Sequence, residues 1–211
     1  MAKSKSIKIA QSKEMPNILE FPKELKGKWH EHFGNENPIV LELACGKGHY
    51  TLGMGKKDAS KNFIGVDIKG ARLYTGAKFA QDEGLDNIRF SRFRIEFIDE
   101  VFAEGEVDEI WITFPDPQPK KAKNRLTHPF FLDKYKQVLK TRGNIHLKTD
   151  NTYLFEFTVG VLAGMRIEPG KLTRNLYDSK LYEDETLQIK THYEELFVAE
   201  GEKIKYCRFK V

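Results

Sequence analysis

The chain alternates short apolar runs with longer stretches in which apolar residues recur every three or four positions. The runs predict strands at residues 39–44, 62–67, 88–92, 109–113 and 144–149. The stretches between them predict helices at residues 51–57, 71–84, 97–103, 129–139 and 152–162. Short apolar strands separated by amphipathic helices imply a parallel sheet covered on both faces. Right-handed crossovers then gather the C-terminal strand ends along one edge, where ligands bind in such sheets. The end of the chain breaks the alternation: residues 166–172 and 203–211 predict two more strands around a helix at 187–200. A short helix is expected over 25–33. Residues 1–20, with Lys3, Lys5, Lys8 and Lys13, read as a flexible basic arm ahead of one domain spanning 21–211.

Composition changes this picture little. The 211 residues are 40% hydrophobic and 31% charged, which fits one ordinary globular domain with a full core. A net charge of +4 is a mild bias towards polyanions. Cys45 and Cys207 are far apart and match no metal spacing, so reduced thiols in a cytoplasmic protein are expected. No apolar stretch is long enough to suggest a signal peptide or a membrane span.

The candidate chemistry begins in the first core strand. Ile39-Val40-Leu41-Glu42-Leu43 runs into Ala44-Cys45-Gly46-Lys47-Gly48, and the next strand ends in Asp67. A buried strand that breaks on glycines lets backbone approach a ligand closely. An acid at the tip of the following strand can grip a ribose diol. A dinucleotide fingerprint needs a third glycine, and Thr51 stands there instead. Glu42 would repel a pyrophosphate but suits a cationic ligand. S-adenosylmethionine, with an ammonium and a sulfonium and no phosphate, fits better. A buried Glu42 that merely caps the glycine turn is the structural alternative.

A second constellation, Thr113-Phe114-Pro115-Asp116-Pro117-Gln118-Pro119, closes the fourth core strand. Its prolines stiffen the loop, so Asp116 is held rather than free. Lys120, Lys121, Lys123 and Arg125 follow and are candidates for phosphate contacts. Lys148-Thr149-Asp150-Asn151 ends the fifth core strand, which would bring Asp150 to the same edge as Asp116. Thr191 and Glu194 lie three apart on the late helix and share a face. Taken alone, Asp116 reads as an exposed residue of a proline-rich turn and Thr191 with Glu194 as a surface pair, whereas the basic run is set apart from an ordinary solvated face by its place beside the active edge.

In that order, these motifs resemble the tRNA (guanine-N7-)-methyltransferase family across residues 38–205. The proline-Asp-proline loop with its lysines and the Lys-Thr-Asp-Asn segment are the most specific parts. The resemblance implies a class I methyltransferase fold: a doubly wound, Rossmann-like α/β sheet of seven strands, the last antiparallel. It implies methyl transfer from S-adenosylmethionine to N7 of a guanine in the tRNA variable loop, position 46 in tRNA numbering. It places Glu42, Gly46, Gly48, Asp67, Arg92 and Asp116 at the cofactor, with Asp116 also catalytic. Lys120, Asp150, Thr191 and Glu194 are implied at the substrate. Ala44 stands where the family has its first glycine, Gln118 where many members have an aromatic residue, and Arg92 where Asn or Asp is usual. The segment after Lys121 is about two residues shorter than the family's.

Two other classes are compatible with the fold: a small-molecule methyltransferase and a non-catalytic tRNA-binding protein. Metal hydrolysis is disfavoured because His30 and His32 are two apart and would face different sides of a helix, His49, His128, His146 and His192 form no cluster in sequence, and no serine lies in a nucleophile elbow. The expected partner is tRNA, with no metal and no membrane, and the expected state is a monomer or homodimer.

Overall fold

The protein is described here by a computed structural model covering residues 2–211, with side chains from residue 7 onwards. In chain order the elements are α1 (Ala2–Ser12), β1 (Ile18–Glu20), α2 (Trp29–Phe33), β2 (Ile39–Leu43), α3 (His49–Lys57), β3 (Asn62–Val66), α4 (Gly70–Asp82) and β4 (Ile88–Arg92). There follow α5 (Ile98–Val101), β5 (Val107–Thr113), α6 (Pro129–Val138), β6 (Leu139–Thr149), α7 (Thr152–Gly164), β7 (Lys171–Thr173), α8 (His192–Ala199) and β8 (Lys205–Phe209).

One sheet in the order β1-β4-β3-β2-β5-β6-β8-β7 holds all eight strands. The pairs from β1 through to β6 are parallel, and β8 runs antiparallel to both β6 and β7. The expected α/β architecture with a reversed last strand is therefore present. The strand count is eight rather than seven because Ile18–Glu20 adds an edge strand along β4.

That edge strand corrects the reading of residues 1–20 as a flexible arm, apart from Met1, which lies outside the described residues. Ala2–Ser12 is helical and packs along α4. Ser12 and Ile18 are buried. The Asn17 side-chain amide donates to the Ala77 carbonyl at 2.8 Å, fastening β1 to α4. Lysine density along residues 3–13 hid this, because a helix can be basic on its open face and still dock.

The other boundary errors have local causes. The strand expected at 166–172 is only Lys171–Thr173. The helix expected at 187–200 starts at His192, where Thr191 and Glu194 form a reciprocal capping box. The strand expected at 144–149 begins at Leu139, directly after α6, because Leu139 already pairs with Val107.

Two apolar layers cover the sheet. Leu41, Leu43, Ile64, Ile110, Ile112 and Leu147 face α5, α6 and α7. Val40, Phe63, Phe90, Trp111 and Tyr206 face α3, α4 and the segment carrying Leu187 and Ile189. All five residues of both β2 and β3 are buried, so these central strands are fixed in register. Each fully buried Leu, Ile or Phe contributes about 1.5–3 kcal/mol relative to exposure. The C-terminal ends of β2, β3, β4 and β5 are thereby held side by side.

Candidate functional site

Those strand ends open on a cleft of about 960 Å³. Six of the ten residues implied at the cofactor or the substrate line it: Glu42, Gly46, Asp67, Arg92, Asp116 and Thr191. Gly48, Lys120, Asp150 and Glu194 do not.

Glu42 is buried beneath the glycine turn. Its Oε2 accepts from the Thr51 amide at 2.8 Å and from the Thr51 hydroxyl, and its Oε1 accepts from the Thr113 hydroxyl at 2.5 Å. Thr51 lies in the first turn of α3, so the carboxylate meets the positive end of that helix. Burial nevertheless pushes the Glu42 carboxyl up to about 7, against the lowering effect of the Thr113 and Thr51 hydrogen bonds. The capping alternative is thus part of the answer: Glu42 welds β2, α3 and β5 together while forming part of the cleft floor.

The turn above it is left-handed at three positions, Ala44 (φ 59), Gly46 (φ 60) and Gly48 (φ 74). Gly46 faces the cleft, and a Cβ there would point into open space within it. Gly48 faces the opposite way. A Cβ on Gly48 would lie 2.4 Å from the Phe90 ring, so this glycine permits packing and does not line the cleft.

Asp67 is buried at the tip of β3. Its Oδ2 accepts from the Gly46 amide at 3.0 Å, and its Oδ1 accepts from the Lys69 amide at 2.8 Å. A carboxylate has about four acceptor positions, so both oxygens keep capacity for a ligand hydroxyl. Arg92, at the tip of β4, lines the cleft but is already engaged. Its Nε donates to the Ile68 carbonyl at 3.1 Å and its Nη1 to both Glu20 carboxylate oxygens at 3.2 Å.

Asp116 is exposed on the cleft wall. Its Oδ1 accepts from the Gln118 amide at 3.0 Å. Phe114 and Gln118, on either side, are both left-handed at φ 46. Strain at two non-glycine positions persists only where surrounding contacts impose it. One such contact is the Phe114 amide, which donates to the Lys148 carbonyl at 2.9 Å.

Other expectations are redistributed. Arg125 is not an outward phosphate ligand: it is buried and turned into the proline loop. Lys120, Lys121 and Lys123 remain exposed. Asp150 is half-buried and outside the cleft lining; its carboxyl is pushed up chiefly by burial, and its carbonyl accepts from Lys205 Nζ at 2.5 Å. Glu194 is fully buried, pairing with Lys148 Nζ at 2.9 Å and accepting from the Tyr177 hydroxyl at 2.8 Å. Lys148 also donates to the Leu187 and Ile189 carbonyls, each at 2.9 Å.

Sequence reasoning missed His49 on the cleft wall, and it read His192 and Tyr193 only as part of the Thr191–Glu194 segment, without separate roles. The two histidines come from the first turns of α3 and α8, and only the fold brings them near each other. Burial depresses His49, with Lys47 and His192 adding to the effect. Proximity of His192 and Tyr193 to Thr191 in sequence was the one available signal. No group of three or more potential metal ligands occurs among the described residues. Cys45 and Cys207 are free and buried, and no described helix is long and apolar enough to cross a membrane.

Known proteins resemble this chain in sequence and in fold. A family model described as "Putative methyltransferase" matches residues 36–207. A tRNA (guanine-N(7)-)-methyltransferase of Bacteroides thetaiotaomicron is 45% identical over 220 residues, covering 100% of this chain and 87% of the relative. One from Porphyromonas gingivalis is 50% identical over 186 residues, covering 88% of this chain and 76% of the relative. Among solved structures, the 30S ribosomal A1408 methyltransferase from an uncultured bacterium superposes with a TM-score of 0.64 at 16% identity, covering 87% of this chain and 92% of that one. The 16S rRNA methyltransferase KamB gives 0.65 at 10% identity, covering 88% and 93%. At such low identity these two structures support the fold alone.

Proposed function

The chain belongs to the tRNA (guanine-N(7)-)-methyltransferase family, and on that premise we propose how its own residues move a methyl group from S-adenosylmethionine to N7 of a tRNA guanine, at position 46 of the variable loop. The observation that carries the reading is the shared cleft. The Gly46–Asp67 lock and the strained Asp116 loop open on the same space.

The residues present fit the cofactor. Gly46 leaves room for it, Asp67 keeps acceptor capacity for its ribose hydroxyls, and Glu42 puts a carboxyl beneath a cationic ligand. When bound, S-adenosylmethionine supplies an electrophilic methyl on its sulfonium. Arg92 acts at one remove in this account, because its guanidinium ties β1 to β4. Gly48 serves by admitting the Phe90 ring behind the turn.

Guanine N7 carries an in-plane lone pair and needs no deprotonation. The protein therefore has to orient the base and offset the positive charge it acquires. Asp116 does both by accepting from the N1–H and N2–H edge. Thr191 and Tyr193 form the facing wall, held by the buried Glu194 behind them. The base is flipped out of its tertiary pairing to reach this wall. Lys120 and Lys121 hold backbone phosphates, and Asp150 is a further substrate contact. The protein works in the cytoplasm as a monomer or homodimer.

The test is labelled S-adenosylmethionine with unmodified tRNA transcripts, followed by cleavage chemistry specific for N7-alkylated purines. Label should map to one variable-loop guanine. Asp116→Asn keeps the side chain's size and removes its charge, and should slow single-turnover methylation by about 10²-fold or more. A wild-type rate at saturating tRNA would remove Asp116 from the mechanism.

A further inference from the structure

Arg125 follows the exposed lysines in sequence, yet it is only 2% exposed. Its Nε donates to the Pro117 carbonyl at 3.1 Å and its Nη2 to the Gln118 carbonyl at 3.3 Å. The guanidinium lies over two rings of α7, 4.5 Å from the Tyr153 centroid and 4.3 Å from that of Phe157. Its partners are carbonyls and aromatic faces; among the described residues no carboxylate forms an ion pair with it. A buried cation that gives up hydration for two carbonyls of one loop fixes that loop's shape.

The loop it grips is the strained one. Gln118 is held at φ 46, a left-handed conformation that a non-glycine residue adopts only where contacts impose it. The contacts form a chain: Arg125 holds the Gln118 carbonyl, and the Gln118 amide donates to Asp116 Oδ1. The same side chain rests on α7, whose N-cap is Asn151, next to Asp150. Arg125 therefore fixes where the β5 loop lies relative to the helix that follows β6.

We propose that Arg125 is a positioning residue: its planar fork, braced on Tyr153 and Phe157, locks the Pro117–Gln118 turn so that the Asp116 carboxylate faces the cleft. This rests on the functional reading given above for Asp116. Lysine cannot replace it fully, since an ammonium has no planar fork to reach both carbonyls and no flat face to set against the two rings.

Arg125→Lys keeps a cation and a folded chain; Arg125→Gln removes the charge. In Arg125→Lys the Gln118 amide should exchange with solvent about tenfold faster, while amides in β2 and β3 stay protected. Single-turnover methylation should fall about tenfold in Arg125→Lys and about 10²-fold in Arg125→Gln, with S-adenosylmethionine affinity and the salt slope of tRNA binding unchanged. Unchanged Gln118 exchange in Arg125→Lys overturns the proposal regardless of activity, and so does a wild-type methylation rate. A salt slope lowered by about one with the rate retained would make Arg125 a phosphate ligand instead. A wild-type chain that leaves tRNA unmethylated would defeat the functional reading, while the Gln118 exchange would still decide whether Arg125 locks the turn.

Discussion

Glu42 accepts three hydrogen bonds from Thr51 and Thr113 and is itself almost fully buried. Its folded-state carboxyl is raised from 4.5 to about 7 by burial. The folded chain therefore holds a proton that the unfolded chain has released, and the linkage favours folding at low pH. This contribution is present below the unfolded value and is lost as pH rises through about 7. The shift bounds it at about 3 kcal/mol. Glu42→Gln cannot ionise, so wild type should lose stability relative to it between about pH 5 and about pH 8. Urea denaturation across that range reads the difference, and parallel profiles would show that Glu42 is ionised throughout. Sequence placed this acid beside the turn but left its partners open. Thr113 is 71 residues away along the chain, and only the pairing of β2 with β5 brings it near.

At the scale of elements, α8 is the informative case. Its first turn lines the cleft with Thr191, His192 and Tyr193, while Glu194 turns inward to Lys148 at the end of β6. The 3-residue spacing of Thr191 and Glu194 was legible in sequence, but the two do not present a common face to substrate. They cap one another through Glu194 Oε2, and the other oxygen, Oε1, takes both Lys148 and Tyr177. Removing one member of a buried pair leaves the other uncompensated, at a cost of about 3–5 kcal/mol. Glu194→Leu and Lys148→Met should each approach that loss, whereas the double variant should lose about 2 kcal/mol less than the two added together. A double-mutant cycle by chemical denaturation tests this, and additivity would mean that the pair is not coupled. The basic run after Asp116 divides in the same way: identical charge in sequence, with Lys120, Lys121 and Lys123 outside and Arg125 within.

Across the whole molecule, a net charge of +4 gives little general attraction for RNA, so affinity depends on where the cations lie. Replacing Lys120 and Lys121 together by alanine should weaken tRNA binding and lower its salt slope by about 1–2, one for each phosphate that is no longer neutralised. An unchanged slope would return them to the solvent. The sheet and its active edge were readable from the chain, because buried parallel strands are continuous apolar runs and glycine and proline turns announce where they end. Those signals are local, and they located Glu42, Gly46, Asp67 and Asp116 on one side of the protein. The eighth strand, the docking of Ala2–Ser12, the inward turn of Arg125 and the Lys148–Glu194 pair were not readable. Each depends on which distant residue takes up a polar group. Sequence by itself thus determined the frame and the chemistry along its edge. Tertiary structure decided which charges face a ligand and which hold the frame, because desolvation and hydrogen-bond geometry depend on partners that only folding brings together.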